Sequence, residues 1–354
     1  MGNVEGNSLE EKRFFNALNE AYCGDYRALE KAQRRHGSWS SAWTFVAKDF
    51  SKIDPEDSFR KLEKAGVALL LSDDAEFPSV LREIPWPPFG LYYKGELPSS
   101  GEAIAIVGTR KATEQGATIA RGFAEVLARR GLVVVSGLAL GIDAAAHEGA
   151  IKGGGRTIAV LPTGLDRVYP RQNEALTEKI LATHGALVSE YPFGSPAYKT
   201  RFLERNRIVS GLTLGVVIVE APRRSGALAT ARFALDQNRD VLVVPGSITQ
   251  RNYEGSHDLL RSGALLVTSP EDVLSAFNLD SETSAENSVG PQTLPLDLDE
   301  NQKAIVHFLQ ARAAPASVEV FVSGLEMSIT LVNQTLTHLV IKNIIKESGG
   351  QYYI

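Results

Sequence analysis

Seven short apolar runs recur between residues 104 and 267, with amphipathic segments between them. They lie at residues 104–107, 132–135, 157–161, 186–188, 216–219, 241–244 and 264–267. Runs that are apolar throughout are typical of parallel strands buried on both faces. Strands that alternate with helices in this way form one sheet covered by helices on both sides. The sequence therefore predicts an α/β fold with a doubly wound parallel sheet in a central domain, residues 66–277.

Two smaller units flank the central domain. Residues 1–65 have helical spacing interrupted by Gly and Asp-Pro turns, which predicts a small helical domain. Residues 278–298 contain four acidic residues and no Lys or Arg among Ser, Asn, Gly and Pro, which predicts a flexible acidic linker. Residues 299–354 show three helical segments and then a two-stranded segment around Gly349 and Gly350, the pattern of a winged helix.

The composition narrows the classes of protein to consider. The chain has 354 residues, a net charge of −5 and 22% charged residues, which is ordinary for a soluble globular protein. Cys23 is the only cysteine, so an internal disulfide and a Cys-based zinc site are excluded, and a reducing cytosol fits. No apolar run approaches the roughly 20 residues of a membrane span. We expect a cytoplasmic protein without membrane association.

Small residues follow the first two apolar runs directly. The first run leads into Gly108, Thr109 and Arg110, and the second into Ser136 and Gly137. Backbone N–H groups in such loops, with the start of the next helix, form sites for anions. Arg110 is a candidate phosphate ligand, and the alternative is a surface ion pair. The glycine spacing is not Gly-x-Gly-x-x-Gly and no acidic residue ends the next run, so no nicotinamide or flavin cofactor is expected.

The segment KTRFLERNRIVSG, residues 199–211, concentrates positive charge. Its basic residues are Lys199, Arg201, Arg205 and Arg207. They oppose a single Glu204, and Phe202 and Asn206 lie among them. Basic residues with an interleaved ring suit single-stranded nucleic acid, because the charges follow the backbone and the ring stacks on a base. The alternative is a core Phe202 with solvated arginines; further arginines at positions 110, 171, 223 and 224 favour nucleic acid.

Catalytic groups are not evident. Glu220 has no second carboxylate or histidine placed to work with it, so we expect it to accept hydrogen bonds that orient loops. Ser225 and Gly226 then open a helix and are candidate anion contacts. Asp143 and His147 are four residues apart, and an N-cap aspartate paired with a structural histidine explains them. We expect no catalytic residue and no metal site.

The third helix of the C-terminal unit, SITLVNQTLTHLV, contains neither Lys nor Arg. A helix that reads duplex DNA needs such residues for phosphate and guanine contacts. We therefore expect this unit to contact protein or to act as an accessory module. The alternative, a duplex-binding winged-helix regulator, is disfavoured by the uncharged helix.

Taken in order, the motifs resemble those of the DNA-processing protein A (DprA/Smf) family of bacterial transformation and recombination. The motifs are VGTR, SGLALGIDAAAH, GLDRVYPRQN, FLERNRIVSGL, VVIVEAPRRSGALATA and VPG, within residues 66–277. The resemblance implies an extended Rossmann-like fold, a helical N-terminal domain resembling a sterile-alpha-motif fold, and a C-terminal winged helix. It also implies a homodimer that binds single-stranded DNA, loads the RecA recombinase onto it, and catalyses no reaction.

The resemblance extends to individual residues. Arg110, Arg171, Phe202, Arg205 and Asn206 fall on the family's DNA-pocket motifs. With the strand-end motifs, the predicted DNA-binding set is Gly108, Thr109, Arg110, Ser136, Gly137, Arg171, Lys199, Phe202, Arg205, Asn206, Arg207, Ser225 and Gly226. We expect Arg110 and Phe202 to lie at strand carboxyl ends that face one crevice.

The sequence departs from the family pattern at two places. Leu203 stands where the family usually has Pro, and EGSHDLLRSGA replaces the usual Gly-x-Asn segment. The second departure leaves open the contacts of residues 256–261 with a second copy or with RecA.

An enzyme of similar fold is the main alternative. Nucleoside-monophosphate phosphoribohydrolases of the LOG type carry a Pro-Gly-Gly-x-Gly-Thr-x-x-Glu signature. The comparable stretch here is RRSGALATARFA, which has no glutamate.

Overall fold

The computed structural model describes residues 2–98, 102–279, 299–312, 316–325, 327–341, 344–348 and 351–353. The chain divides into two compact units, Met1–Glu282 and Thr283–Ile354. Of the predicted acidic linker, residues 280–298 lie outside the described residues. Within the described residues, no helix is both long enough and apolar enough to span a membrane.

Among the described residues of the first unit, nine strands form one sheet. They are β1 Ala68–Leu71, β2 Gly90–Gly95, β3 Ala103–Val107, β4 Val133–Ser136, β5 Thr157–Val160, β6 Ala186–Ser189, β7 Gly215–Ile218, β8 Asp240–Val243 and β9 Leu265–Leu266. Their order across the sheet is β1-β2-β6-β5-β4-β3-β7-β8-β9. Strands β3 to β9 pair in parallel, whereas β1 and β2 are antiparallel at one edge. The predicted α/β fold with a mostly parallel sheet is confirmed.

Helices cover both faces of this sheet. They are α1 Gly2–Ala21, α2 Tyr26–His36, α3 Trp39–Val46, α4 Pro55–Lys64, α5 Ser79–Arg82, α6 Glu114–Arg129, α7 Ile142–Lys152, α8 Glu174–Ala182, α9 Lys199–Gly211, α10 Gly226–Asp236, α11 Glu254–Arg261 and α12 Pro270–Ala276. Successive strand residues point to opposite faces. Accordingly, Ile104 and Ile106 of β3 enter one hydrophobic core, and Ala105 and Val107 enter the other.

The N-terminal helices pack on the antiparallel edge of the sheet. Phe15 of α1 and Trp39 of α3 share a core with Leu69, Leu71 and Tyr92 of β1 and β2. The rings of Phe15 and Trp39 meet edge to face, with centroids 5.0 Å apart. The helices and the sheet edge therefore share one core, and an independent helical domain at residues 1–65 stays a prediction.

The second unit is small and mostly helical. It contains α13 Glu300–Arg312, α14 Val318–Leu325 and α15 Ile329–Ile341, and then β10 Lys346–Ser348 paired antiparallel with β11 Gln351–Tyr353. Its core includes Ile305, Phe321, Val332 and Leu336. The sequence predicts this same order of elements, three helices followed by a two-stranded hairpin.

Candidate nucleic-acid interface

The centre of the sheet contains a switch in strand order. Strand β3 pairs with β4 on one side and with β7 on the other. The connections that leave β3 and β7 therefore run in opposite directions, and open α/β sheets bind ligands at such a point, beyond the carboxyl ends of the strands. A crevice of about 710 Å³ lies there, bounded by the loops after β3, β4 and β7 and by one side of α9.

Most of the predicted DNA-binding residues line this crevice. They are Gly108, Thr109, Arg110, Gly137, Lys199, Phe202, Arg205, Asn206, Ser225 and Gly226. Ser136, Arg171 and Arg207 do not line it. Residues outside the predicted DNA-binding set also line the crevice, among them Tyr169, Leu203 and Arg224.

Arg110 and Phe202 are in direct contact in the crevice. The guanidinium carbon of Arg110 lies 4.8 Å from the centroid of the Phe202 ring, which is cation–π distance. The other neighbour of Phe202 is Tyr169, whose ring meets it edge to face at 5.4 Å. Arg110 is exposed, and no described carboxylate lies within ion-pair distance of it. The alternative of a surface ion pair for Arg110 is therefore wrong for the described residues.

Phe202 is not at a strand end, contrary to the expectation. It lies in the first turn of α9, between β6 and β7, and is half-buried. The segment 199–211 is rich in Lys, Arg, Leu and Glu, which favour helix, and its only glycine is the final Gly211. The helix still presents Phe202 to the crevice, because α9 runs along the side of the switch point.

Arg205 is enclosed beneath the crevice. Its guanidinium donates to the carbonyl of Gly137 at 2.7 Å and to that of Val160, and its Nε donates to Asn206 Oδ1 at 3.2 Å. Burial lowers the pKa of Arg205 to about 10, and nearby Asp143 opposes that effect. The side chain therefore stays charged at neutral pH. Its hydrogen bonds fasten α9 to the ends of β4 and β5.

Asn206 and Ser225 shape the opposite side of the crevice. Asn206 Nδ2 donates to the carbonyl of Gly226 at 3.3 Å, which joins α9 to the start of α10. Ser225 caps α10, since its hydroxyl accepts from the N–H of Ala227 at 3.2 Å. The first turn of α10 thus borders the crevice with its partial positive charge.

Arg207 is buried on the far side of α9, which corrects the prediction that it contacts DNA. It forms a two-bond ion pair with Glu190, with both N–O distances 2.7 Å, and only 1% of its side chain is exposed. Its guanidinium also lies 4.5 Å from the Trp86 ring. The cause is the helical repeat of about 3.6 residues per turn, which turns Phe202 and Asn206 to the crevice and Arg207 away from it.

Two further basic or polar candidates have structural partners. Arg201 is buried and donates to the carbonyls of Pro196, at 3.0 Å, and Cys23. Ser136 is fully buried, and its hydroxyl donates to the carbonyl of Ile106 at 2.7 Å. Ser136 therefore links β4 to β3 and is not available to a ligand.

Exposed cations surround the crevice. Lys199 and Arg224 line it, and both are exposed with no described carboxylate within ion-pair distance. Arg223, the neighbour of Arg224, lies 3.7 Å from Asp258 and 3.9 Å from Glu254, and these exposed pairs are weak. The electrostatic character of the crevice is therefore positive.

Glu220 orients the loops beside the crevice, as predicted. Its fully buried carboxylate accepts from the Thr113 N–H at 3.1 Å, from the Thr113 hydroxyl and from Asn252 Nδ2 at 2.8 Å. Asn252 also donates to the carbonyl of Lys111 at 3.1 Å. These bonds fix the loop that carries Arg110.

Asp143 and His147 do not pair with each other, contrary to the expectation. Asp143 accepts from the N–H groups of Gly137 and Ala139, at 3.1 and 3.3 Å. His147 Nδ1 lies 2.7 Å from the hydroxyl of Thr157, and burial lowers the pKa of His147 to about 3. Within the part of the chain that the structure describes, His, Cys, Asp and Glu side chains form no group of three that could hold a metal ion.

Comparison with known proteins identifies the family. The family model for DNA recombination-mediator protein A matches residues 68–278, and the chain belongs to this family, whose members are named DprA or Smf. Protein Smf of Synechocystis is 34% identical over 336 residues, which are 86% of this chain and 84% of that protein. DNA processing protein DprA of Streptococcus pneumoniae is 42% identical over 229 residues, 64% of this chain and 80% of that protein.

Two solved structures share the fold. The crystal structure of DprA from Streptococcus pneumoniae superposes with a TM-score of 0.59 and 34% identity, covering 76% of this chain and 94% of that one. A DprA structure from Helicobacter pylori, described for its single-stranded DNA binding mode, superposes with a TM-score of 0.54 and 30% identity. The match covers 60% of this chain and 96% of that one.

Proposed function

We propose that this chain is a non-catalytic single-stranded DNA-binding protein of natural transformation and homologous recombination. It protects incoming or processed DNA and loads the RecA recombinase onto it in the cytoplasm. The observation that carries the proposal is the contact between Arg110 and Phe202 at the switch in strand order. A guanidinium without a carboxylate partner suits a phosphate, and the ring beside it suits a base.

A single strand fits this chemistry better than a duplex. A base can stack on Phe202 only when it is not already stacked and paired inside a double helix. The phosphates on either side of that base would meet Arg110 and the exposed cations Lys199 and Arg224. The DprA protein from Helicobacter pylori, described as binding single-stranded DNA, supports the same ligand class.

The carboxylates and the imidazole near the crevice are engaged in structural hydrogen bonds, and this supports a role without catalysis. Glu220 and Asp143 accept bonds from loop N–H groups, and His147 is held by Thr157. Incubation of the purified protein with AMP tests the LOG-type alternative. Free adenine that persists after rigorous repurification would overturn the non-catalytic proposal.

We further propose a homodimer that forms through the β9 edge of the sheet. Leu265 and Leu266 of this edge strand are exposed, and Ile248 is 88% exposed. An uncovered apolar edge of this kind favours pairing with another chain. Loading of RecA rests on membership of a recombination-mediator family. We assign the C-terminal unit as a winged helix with an accessory role, and α1–α4 as a sterile-alpha-motif-like domain.

Comparison of two arginine variants tests the DNA site. Arg110→Ala should weaken single-strand binding and make its salt dependence shallower by about 0.7 in log–log slope, since one phosphate contact is lost. Arg156→Ala is the matched control, because Arg156 is exposed and precedes β5, at the opposite end of the strands. Equal affinities of the two variants would reject the crevice as the binding site.

A further inference from the structure

A second cleft, of about 1200 Å³, borders the first crevice. It lies between the loop that follows β5, the Leu140 loop after β4, and the segment that precedes α9. Tyr169 and Ala197 line both spaces, so the two are continuous at these residues. Arg171, which does not reach the first crevice, lines this cleft.

The cleft contains the same kinds of side chain as the crevice, an exposed cation and an exposed aromatic ring. Arg171 is exposed, and no carboxylate of the described residues lies within ion-pair distance of it. Tyr169 is 44% exposed and Leu140 is 39% exposed, so a ring and an apolar side chain lie open beside the cation. The pair of Arg167 and Asp166, at 3.4 Å, is solvent-exposed and adds no net charge. A free cation beside an open ring is what a phosphate and a base require.

Ring contacts connect the two spaces. Arg110 rests on Phe202 at 4.8 Å, and Phe202 meets the edge of Tyr169 at 5.4 Å. Arg171 follows Tyr169 by two residues, with Pro170 between them. One cation therefore contacts the first of two adjacent rings, and a second cation lines the cleft that the other ring borders. An extended single strand binds such a surface with its phosphates at the cations and its bases stacked on the rings.

We propose that this cleft is a second nucleotide-binding site, into which a single DNA strand continues from the crevice. Tyr169 is the stacking platform shared by the two sites, and Arg171 binds a phosphate beyond it. The inference rests on the proposed function. It adds the path that the DNA strand follows and the length of strand that the protein contacts. A strand long enough to fill both spaces gains contacts that a strand confined to the crevice lacks.

Binding of oligothymidylates of two lengths, about 4 and about 20 nucleotides, tests this path. With the longer strand, Arg171→Ala should weaken binding and lower the salt slope by about 0.7. Tyr169→Ala should weaken binding about fivefold or more, and Tyr169→Phe should restore it, because the ring is what stacks. With the shorter strand, Arg171→Ala should bind like the wild type, whereas Arg110→Ala should be weak at both lengths.

The outcomes separate this inference from the proposed function. Arg171→Ala that matches the wild type on the longer strand, while Arg110→Ala is weak, rejects the second site and keeps the first. An equal loss at both lengths also rejects it, since Arg171 would then serve the crevice alone. Failure of the wild-type protein to bind either strand rejects the proposed function itself.

Discussion

The guanidinium of Arg110 rests on the ring of Phe202, 4.8 Å from its centroid, although 92 positions of sequence separate the two residues. Arg110 lies in the loop after β3 and Phe202 lies in the first turn of α9, and both elements border the switch in strand order. The contact orients a cation and an aromatic ring before any ligand arrives. Affinity for DNA should therefore depend on the two side chains jointly.

A double-mutant cycle measures this dependence. Phe202→Ala should cost about 1–3 kcal/mol of binding with little change in salt slope, because stacking is lost. Arg110→Ala should weaken binding and make the log–log salt slope shallower by about 0.7. The double variant should lose less than the sum, by about 0.5–1 kcal/mol, since either single truncation already removes the orientation that the two side chains give each other. Strict additivity would contradict the coupling.

Thermal melting of Phe202→Ala is the control for this cycle. Truncation of a core aromatic costs about 3–5 kcal/mol of stability. Phe202 is half-buried, so we expect a smaller loss. A large drop in melting temperature, with unaltered affinity of the folded fraction, would assign Phe202 to the core.

Arg207 and Lys199 should respond oppositely to truncation. Arg207→Ala leaves the carboxylate of Glu190 without its partner, and we expect a loss of about 3–5 kcal/mol in the free energy of unfolding. Lys199→Ala removes an exposed side chain, so stability should change by less than about 0.5 kcal/mol while DNA affinity falls. Urea unfolding and DNA titration of both variants check this. A stable Arg207→Ala protein with a reduced salt slope would restore Arg207 as a DNA contact.

His147 should make the fold sensitive to acid. Thr157 donates its hydroxyl hydrogen to the carbonyl of Val134, so its oxygen accepts from Nδ1 of His147, and Nε2 is buried without a partner. Protonation of Nε2 is disfavoured, and burial holds the pKa of His147 at about 3. Because the unfolded chain binds this proton near pH 6.5, stability is present above that pH and declines as the pH falls below it.

Comparison with His147→Gln isolates this contribution. Between pH 7 and pH 5 the wild type should lose about 2 kcal/mol more than the variant, at about 1.4 kcal/mol per pH unit below pH 6.5. Urea unfolding at several pH values provides the measurement. Parallel pH profiles for the two proteins would show that His147 does not stay neutral in the fold.

Removal of residues 298–354 should leave single-strand binding nearly unchanged. The C-terminal unit is a separate compact unit, residues 299–354 have a small net negative charge, and its third helix carries no Lys or Arg. It therefore adds little electrostatic affinity for DNA. A tenfold loss in the folded, truncated protein, about 1.4 kcal/mol, would assign it a DNA contact.

The strands and the crevice were predictable because their signals are local. Runs such as 216–219 are apolar throughout, and Gly108 to Arg110 follows a run directly, so each segment indicates its own place in the sheet. Burial of Arg207 was not predictable in the same way. It depends on Glu190 and Trp86, which lie far from Arg207 in sequence and adjoin it only in the fold.

The same reason explains two other differences. The N-terminal helices share a core with β1 and β2 through contacts between residues far apart in sequence, such as Phe15 and Tyr92. Tyr169 was not selected because a lone tyrosine carries no signal of its own. Its contact with the Phe202 ring and the cleft that it lines together with Arg171 exist only in the fold.

Titration of the full-length protein with single-stranded and duplex DNA of equal length, over a series of salt concentrations, tests the central claim most directly. We predict tighter binding of the single strand, with a log–log salt slope near −3 if about four phosphates are neutralised at about 0.7 each. Equal or tighter binding of the blunt duplex would contradict the account.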